Sequence, residues 1–227
     1  MNLETTQLLA LAAALGWASG LRLYAVLFLT GLAGHLGWVA LPPGLQLLQN
    51  PWLLGASGSM LLIEFFADKI PGVDTLWDLV HTLIRIPAGA ALAAAVFGAD
   101  QSTWATAAAL LGGSLAATSH VAKTTTRAAL NTSPEPFSNV AISLLGDATV
   151  PAALWLAFAH PLVALAAVAL ASLAMLAIIV VLIKFLRALW SRLRGDNRPD
   201  ADGRDLAPRV GAGRVSCDSN SNARPLK

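Results

Sequence analysis

The chain has 227 residues, 56% of them hydrophobic and 12% charged, with a formal net charge of +2. Soluble domains carry about 25% charged residues, so this composition excludes an ordinary soluble fold and makes the lipid bilayer the first partner. The basic excess is local, with no basic face interleaved with aromatics, which excludes nucleic acid. The single cysteine, Cys217, excludes an intramolecular disulfide and a thiolate metal site.

In chain order, the start M-N-L-E-T-T-Q lacks the basic region of a secretory signal, so the first apolar run reads as a permanent element. Leu8 to Gly20 is apolar, Arg22 interrupts, and Leu23 to Ala40 is apolar again. Pro42-Pro43 breaks the chain and Pro51-Trp52 restarts it. Leu53 to Phe66 is apolar and ends among acidic residues. Leu76 to Gly98 contains His81, Arg85 and Pro87, and Trp104 to Thr118 follows a short polar break. Phe137 to Ala159 contains Asp147 and Pro151, and Pro151 predicts a helix kink because it cannot donate to the carbonyl of residue 147. Pro161 to Leu186 is the clearest span, long enough for about 30 Å of hydrocarbon and closed by Trp190 and an Arg-rich end.

Basic residues fall near positions 22, 69, 123–127 and 184–198, while the connections at 41–51, 99–103 and near 160 carry none. Placing the basic connections inside gives an alternating path of about seven segments, with the N-terminus outside and the C-terminus in the cytoplasm of a bacterial inner membrane. Several segments fall short of the roughly 20 residues that a perpendicular span needs. The expected fold is therefore an all-α, multi-pass transmembrane helical bundle of about five to seven segments. Some of these are broken or re-entrant where protein covers the freed backbone. Leu54-Gly55-Ala56-Ser57 matches Leu111-Gly112-Gly113-Ser114, and Ile86-Pro87-Ala88 matches Val150-Pro151-Ala152, in the same order. Residues 53–98 and 110–160 then read as two repeated hairpins running the same way. The bundle fills residues 1–190, and 191–227 is expected to be a disordered polar cytoplasmic tail.

The chemistry concentrates between Glu64 and Arg85, where Glu64, Asp68, Lys69, Asp74, Asp78, His81 and Arg85 sit between apolar runs. Charge at bilayer depth costs about 2.5–3.5 kcal/mol per residue on insertion scales, so such a cluster is paired, wetted or used. Glu64 and Asp68 share a helix face. They hold a proton or a cation together, or simply end a helix in water beside Lys69. Asp74 or Thr75 caps the next helix, and Asp78 is spaced to bond His81 or Arg85. A buried Arg85 demands a carboxylate, with Asp78, Glu64, Asp68 and Asp147 as candidates. His120, Lys123 and Arg127 form a basic arm. By the repeat it occupies the place of the acidic Glu64–Asp68 arm, so it pairs across to that arm or binds an anion. Asp147 beside Pro151 is an ion or proton site, or the counter-charge of Arg85 or Arg127. Ser138 or Asn139 is the expected cap of the following helix, and Asn131-Thr132-Ser133 is formally a glycosylation sequon. Gly16, Gly20, Gly55, Gly58, Gly112 and Gly113 allow close helix approach. His35 and His160 read as interfacial tips, and Trp17, Trp38, Trp52, Trp104 and Trp155 as core or interface anchors.

Residues 64–90, E-F-F-A-D-K-I-P-G-V-D-T-L-W-D-L-V-H-T-L-I-R-I-P-A-G-A, resemble the hallmark of a bacterial membrane family known only as domain of unknown function 4126. The run G-W-A-S-G-L-R-L-Y and residues 138–147, S-N-V-A-I-S-L-L-G-D, are similar to it too, and the likeness covers residues 8–190. The resemblance implies a small multi-pass inner-membrane protein and carries no activity with it.

Three functions are compatible with these residues. The first is a transporter or channel-like protein for an ion or small solute, with Glu64, Asp68 and Asp147 as proton or cation sites and Arg85, Lys123 and Arg127 as counter-charges or anion contacts. The second is a structural or assembly protein in which the same charges pair internally. The third and weakest is a lipid-head-group enzyme using His81 or His120 with Asp78. H-E-x-x-H, G-x-S-x-G and G-x-x-x-x-G-K-[ST] are all absent, so an enzyme is disfavoured and no cofactor is expected. A second copy of the chain remains open as a partner.

Overall fold

The computed structural model describes residues 4–70, 72–130 and 136–193; the sequon and residues 194–227 of the expected tail lie outside them. Among the described residues the elements are α1 (Thr5–His35), a 3₁₀ turn (Pro43–Gln49), α2 (Pro51–Ala67), α3 (Val73–Ala95), a 3₁₀ turn (Ala99–Gln101), α4 (Ser102–Leu130), α5 (Pro136–Ala159) and α6 (Pro161–Leu193), with no strand. The fold is an all-α, multi-pass transmembrane bundle. Three stretches are long and apolar enough to cross a membrane: Thr5–His35, Val140–Ala159 and Pro161–Ser191.

Arg22 breaks α1 with φ −148° and ψ 88°. The neighbours along α3 show how sharply. Tyr24, just after the break, meets His81. Ser19 and Gly16, before it, meet Gly89 farther along α3. After the second arm ends, Gly44 meets Ala95 at the far end of α3. Both arms therefore leave Arg22 in the same direction, and α1 is a V with Arg22 at its apex. The two apolar runs that Arg22 separates are the two arms, and each is shorter than the roughly 20 residues of a perpendicular span. They are covered by protein, since 83% of the most apolar α1 window is buried against 11% for α6. The bundle is thus built with its most apolar helix outermost. Leu162, Leu170, Leu173 and Val181 of α6 face outward, where lipid satisfies them and the helix satisfies its own backbone.

Small residues let the buried V be enclosed. A β-carbon on Gly16 would stand 2.5 Å from Cα of Gly112, and one on Gly112 would run into Ala93. Gly20 lies against Ala116 and Ser119, and Ser119 Oγ donates to the Trp17 carbonyl at 2.6 Å. Gly55, expected among these packing glycines, plays no such part, because a β-carbon there would meet nothing within 4 Å. Gly16→Val is expected to force α1 and α4 apart and lower the thermal midpoint in detergent, an overpacking cost of about 1–3 kcal/mol. Gly55→Val, facing open space, is expected to leave that midpoint essentially unchanged.

Trp17 is 4% exposed and belongs to the core, whereas Trp38, Trp52, Trp104, Trp155 and Trp190 are at least half exposed, as outward-facing anchors are. Two local expectations are corrected. The N-cap of α3 is Gly72, at φ 89°, not Asp74 or Thr75. Asp74 lies in the first turn, where its Oδ1 accepts from the Gly72 N–H at 2.9 Å and its charge suits the helix dipole. Helix α5 begins at Pro136, ahead of Ser138 and Asn139, and continues through Pro151 to Ala159.

Candidate functional site: a buried ion-pair network at the apex of α1

The apex of α1, the C-terminal end of α2, the first half of α3, the last turns of α4 and the first half of α5 meet at one end of the bundle. Each brings charge. One guanidinium nitrogen of Arg22 is ion-paired with Asp68 at 2.8 Å and its Nε with Asp147 at 2.8 Å. Its remaining nitrogen donates to the Ser143 carbonyl and hydroxyl at 3.1 and 2.9 Å. Three different residues hold this one fork, which fixes the apex in place.

Asp68 is the hub. Besides its ion pair with Arg22 it accepts from Lys123 at 3.1 Å and Arg127 at 2.8 Å. Asp78 is the second hub, accepting from Arg85 at 2.7 Å and Arg127 at 2.9 Å and ion-paired with Lys123 at 3.0 Å. Arg85 also grips Glu64. Lys123 donates in addition to the Leu21 carbonyl at 3.2 Å, one of the acceptors that the break at Arg22 leaves without a helical donor. Arg127 Nε lies 4.0 Å from Asp74. Lys69 lies over the Phe65 ring, 3.0 Å from its centroid, and reaches Asp147 at 3.3 Å.

The network is dry at its centre and wetter at its edge. Glu64, Asp68, Asp74 and Arg85 are 0% exposed and Arg22, Asp78 and Arg127 are 2%, while the side chains of Lys69 and Asp147 reach 20%. Five cations (Arg22, Lys69, Arg85, Lys123, Arg127) face five carboxylates (Glu64, Asp68, Asp74, Asp78, Asp147), so the ionised cluster is neutral overall. That balance is what allows so much charge to leave water.

The structure brings the sequence candidates together with different partners in several places. The basic arm of α4 does pair with the acidic arm, through Asp68. Glu64 and Asp68 share a face, yet they take separate cations instead of binding one together. Asp78 bonds Arg85 and not His81. Asp147 pairs with Arg22 and Lys69 and is not the counter-charge of Arg85 or Arg127. His81 stands aside, stacked on Trp77 at 4.1 Å and bonded through Nε2 to the Tyr24 hydroxyl at 3.1 Å. His120 meets Thr82 Oγ1 at 2.7 Å. Neither histidine bonds Asp78. His35 and His160 lie exposed at the opposite end, as interfacial tips do. Among the described residues no group of His, Cys, Asp and Glu is arranged to hold a metal ion.

Arg22, Ser143 and Tyr24 are the participants that sequence reasoning missed. The usable signal is Arg22 itself, a guanidinium between two apolar runs with no polar loop around it, which cannot face lipid and must have buried acceptors.

The fold and this cluster define a class: a multi-pass helical membrane protein with a neutralised charge network inside its helical body. The chain matches the family model described as domain of unknown function (DUF4126) over residues 9–183, and it belongs to that family. No curated protein and no solved structure matches it.

Proposed function

We propose that the protein is a transporter or channel-like protein of a bacterial inner membrane, passing an ion or small solute, with the network as the closed gate of its cytoplasmic end. The observation that carries this reading is the convergence of ten ionisable groups from five helices on one cluster whose centre is dry. A purely structural junction does not need them, because apolar side chains of similar volume pack there at no greater cost. Intramembrane charge facing a bundle interior is characteristic of ion and proton pathways. Support for the orientation comes from Arg22, Lys69, Lys123, Arg127, Lys184 and Arg187, which lie towards the same end.

The bonding pattern suits a gate. Lys123 and Arg127 each bridge Asp68 and Asp78, so each can shift wholly to one carboxylate while the other takes a proton or an incoming ion. A cleft of about 370 Å³ between α3, α4 and α6 reaches Asp78 and Arg127 and gives this pair access from outside the network.

The second reading, a structural clasp, is favoured by the equal number of cations and carboxylates. Reconstitution into liposomes with a panel of ions and small solutes separates the two. Flux that Asp78→Asn alters is the expected result. Absence of flux for every solute, with Glu64→Gln and Asp147→Asn harmless in cells, would leave the clasp.

A further inference from the structure

The cations of the network are not enclosed evenly by their carboxylates. A cleft of about 160 Å³ between α1, α4, α5 and α6 is lined by Arg22, Lys123 and Arg127 and by no acidic residue. Asp68, Asp78 and Asp147, their partners, are not among its walls. The pairs therefore turn their positive ends towards this cleft. The rest of its wall is largely apolar, including Leu21, Ile142 and Met175.

A second cleft, of about 240 Å³, continues along α5 and α6 towards the opposite end and also has no acidic residue in its wall. Thr149 lines both clefts, so they adjoin. Trp17 lines the second. It is 4% exposed, and its indole N–H has no acceptor within the protein. An indole nitrogen can only donate, and a buried donor without an acceptor costs about 1–3 kcal/mol. Such a group suits an acceptor that arrives from elsewhere. Small side chains (Ala153, Ala164, Ala167, Ala171) keep this stretch open.

From one end to the other, the unsatisfied or charged polar groups of this route are thus an indole donor and then three cations. We propose that the crevice between α1, α5 and α6 is the permeation route and that the solute is a small monovalent anion, chloride, nitrate or formate in class. This rests on the transport reading above and gives it a substrate. The space accommodates an anion with part of its hydration shell, since one water occupies about 30 Å³ of liquid. The carboxylates behind Arg22, Lys123 and Arg127 neutralise them enough for the anion to leave again, as conduction requires.

The test is anion efflux from liposomes carrying the full-length chain, read with an ion-selective electrode, beside potassium flux from the same preparation. Chloride or nitrate flux without potassium flux is expected. Trp17→Phe, which removes the donor and keeps an aromatic ring, should lower it about tenfold, and Ala171→Phe, which fills the crevice away from the network, should abolish it. Anion flux indifferent to both variants would overturn the route. Potassium flux without anion flux would overturn the anion and spare the transport reading. If no solute crosses, saturable stabilisation of the detergent-purified protein by chloride, weakened by Trp17→Phe, would uphold the anion site while the transport reading fell. No flux and no saturable stabilisation would overturn the proposal.

Discussion

Asp68→Leu is expected to be the most damaging single substitution in the bundle. It leaves Arg22, Lys123 and Arg127 facing one another within a dry interior, with Asp68 no longer between them. Removing one partner of a buried ion pair costs about 3–5 kcal/mol, and here one carboxylate serves three cations. The variant should unfold at a markedly lower temperature in detergent and accumulate poorly in membranes. Asp147→Asn is the comparison. Its side chain is 20% exposed, and Arg22 keeps Asp68, so water and the remaining carboxylate absorb much of the loss. Equal stability of the two variants would show that Asp68 is not the hub. Adding Lys123→Met to Asp68→Leu removes one of the three cations that lose Asp68 and should restore part of the stability, because sites that share a partner do not behave additively.

The second large effect is expected at Arg85. Glu64 and Asp78 both depend on it, but unequally. Asp78 keeps Lys123 and Arg127, whereas Arg85 is the only cation paired with Glu64 among the described residues. Arg85→Met should therefore cost about 3–5 kcal/mol, mostly through the stranded Glu64 carboxylate. Removing that carboxylate too, in Arg85→Met/Glu64→Met, should recover most of the loss, giving a coupling of about 2–3 kcal/mol in a double-mutant cycle of thermal or denaturant unfolding. The double variant also separates the two functional readings. If it is stable and retains full function in cells, these two charges are only a clasp. If it is stable and flux is lost, their ionisation belongs to the gate.

Much of the fold was legible because apolar run length and charge placement are local properties. The clean span of α6, the breaks at Pro42-Pro43 and Gly98, and the grouping of basic residues at one end all follow from side-chain hydration alone. The cross-pairing of the α4 basic arm with Asp68 was legible one level up, because a basic arm and an acidic arm that both leave apolar runs need each other's charge in a dry interior. What escaped was every partner choice that depends on the V of α1. Arg22 looks in sequence like the end of one span and the start of another. Only the near-reversal at that residue, with Gly16 seated on Gly112 and Tyr24 on His81, carries its guanidinium to Asp68 and Asp147 together. Asp147 then takes Lys69 as well, and Arg85 falls to Glu64 and Asp78, two of the four carboxylates that its sequence context had offered. Such choices depend on helix placement that no local pattern encodes.

The apex of α1 also constrains how the protein can be made. Arg22 emerges from the ribosome before Asp68, and Asp147 is not synthesised until most of the bundle exists. During that interval the guanidinium has no native acceptor among the carboxylates, and the arms that flank it are too short to hold it across the bilayer by themselves. The insertion machinery must keep this segment out of the acyl phase, in an aqueous or proteinaceous shelter, and release it only when α2 and then α5 arrive. Assembly is therefore expected to end with the innermost helix, the one translated ahead of the walls that enclose it.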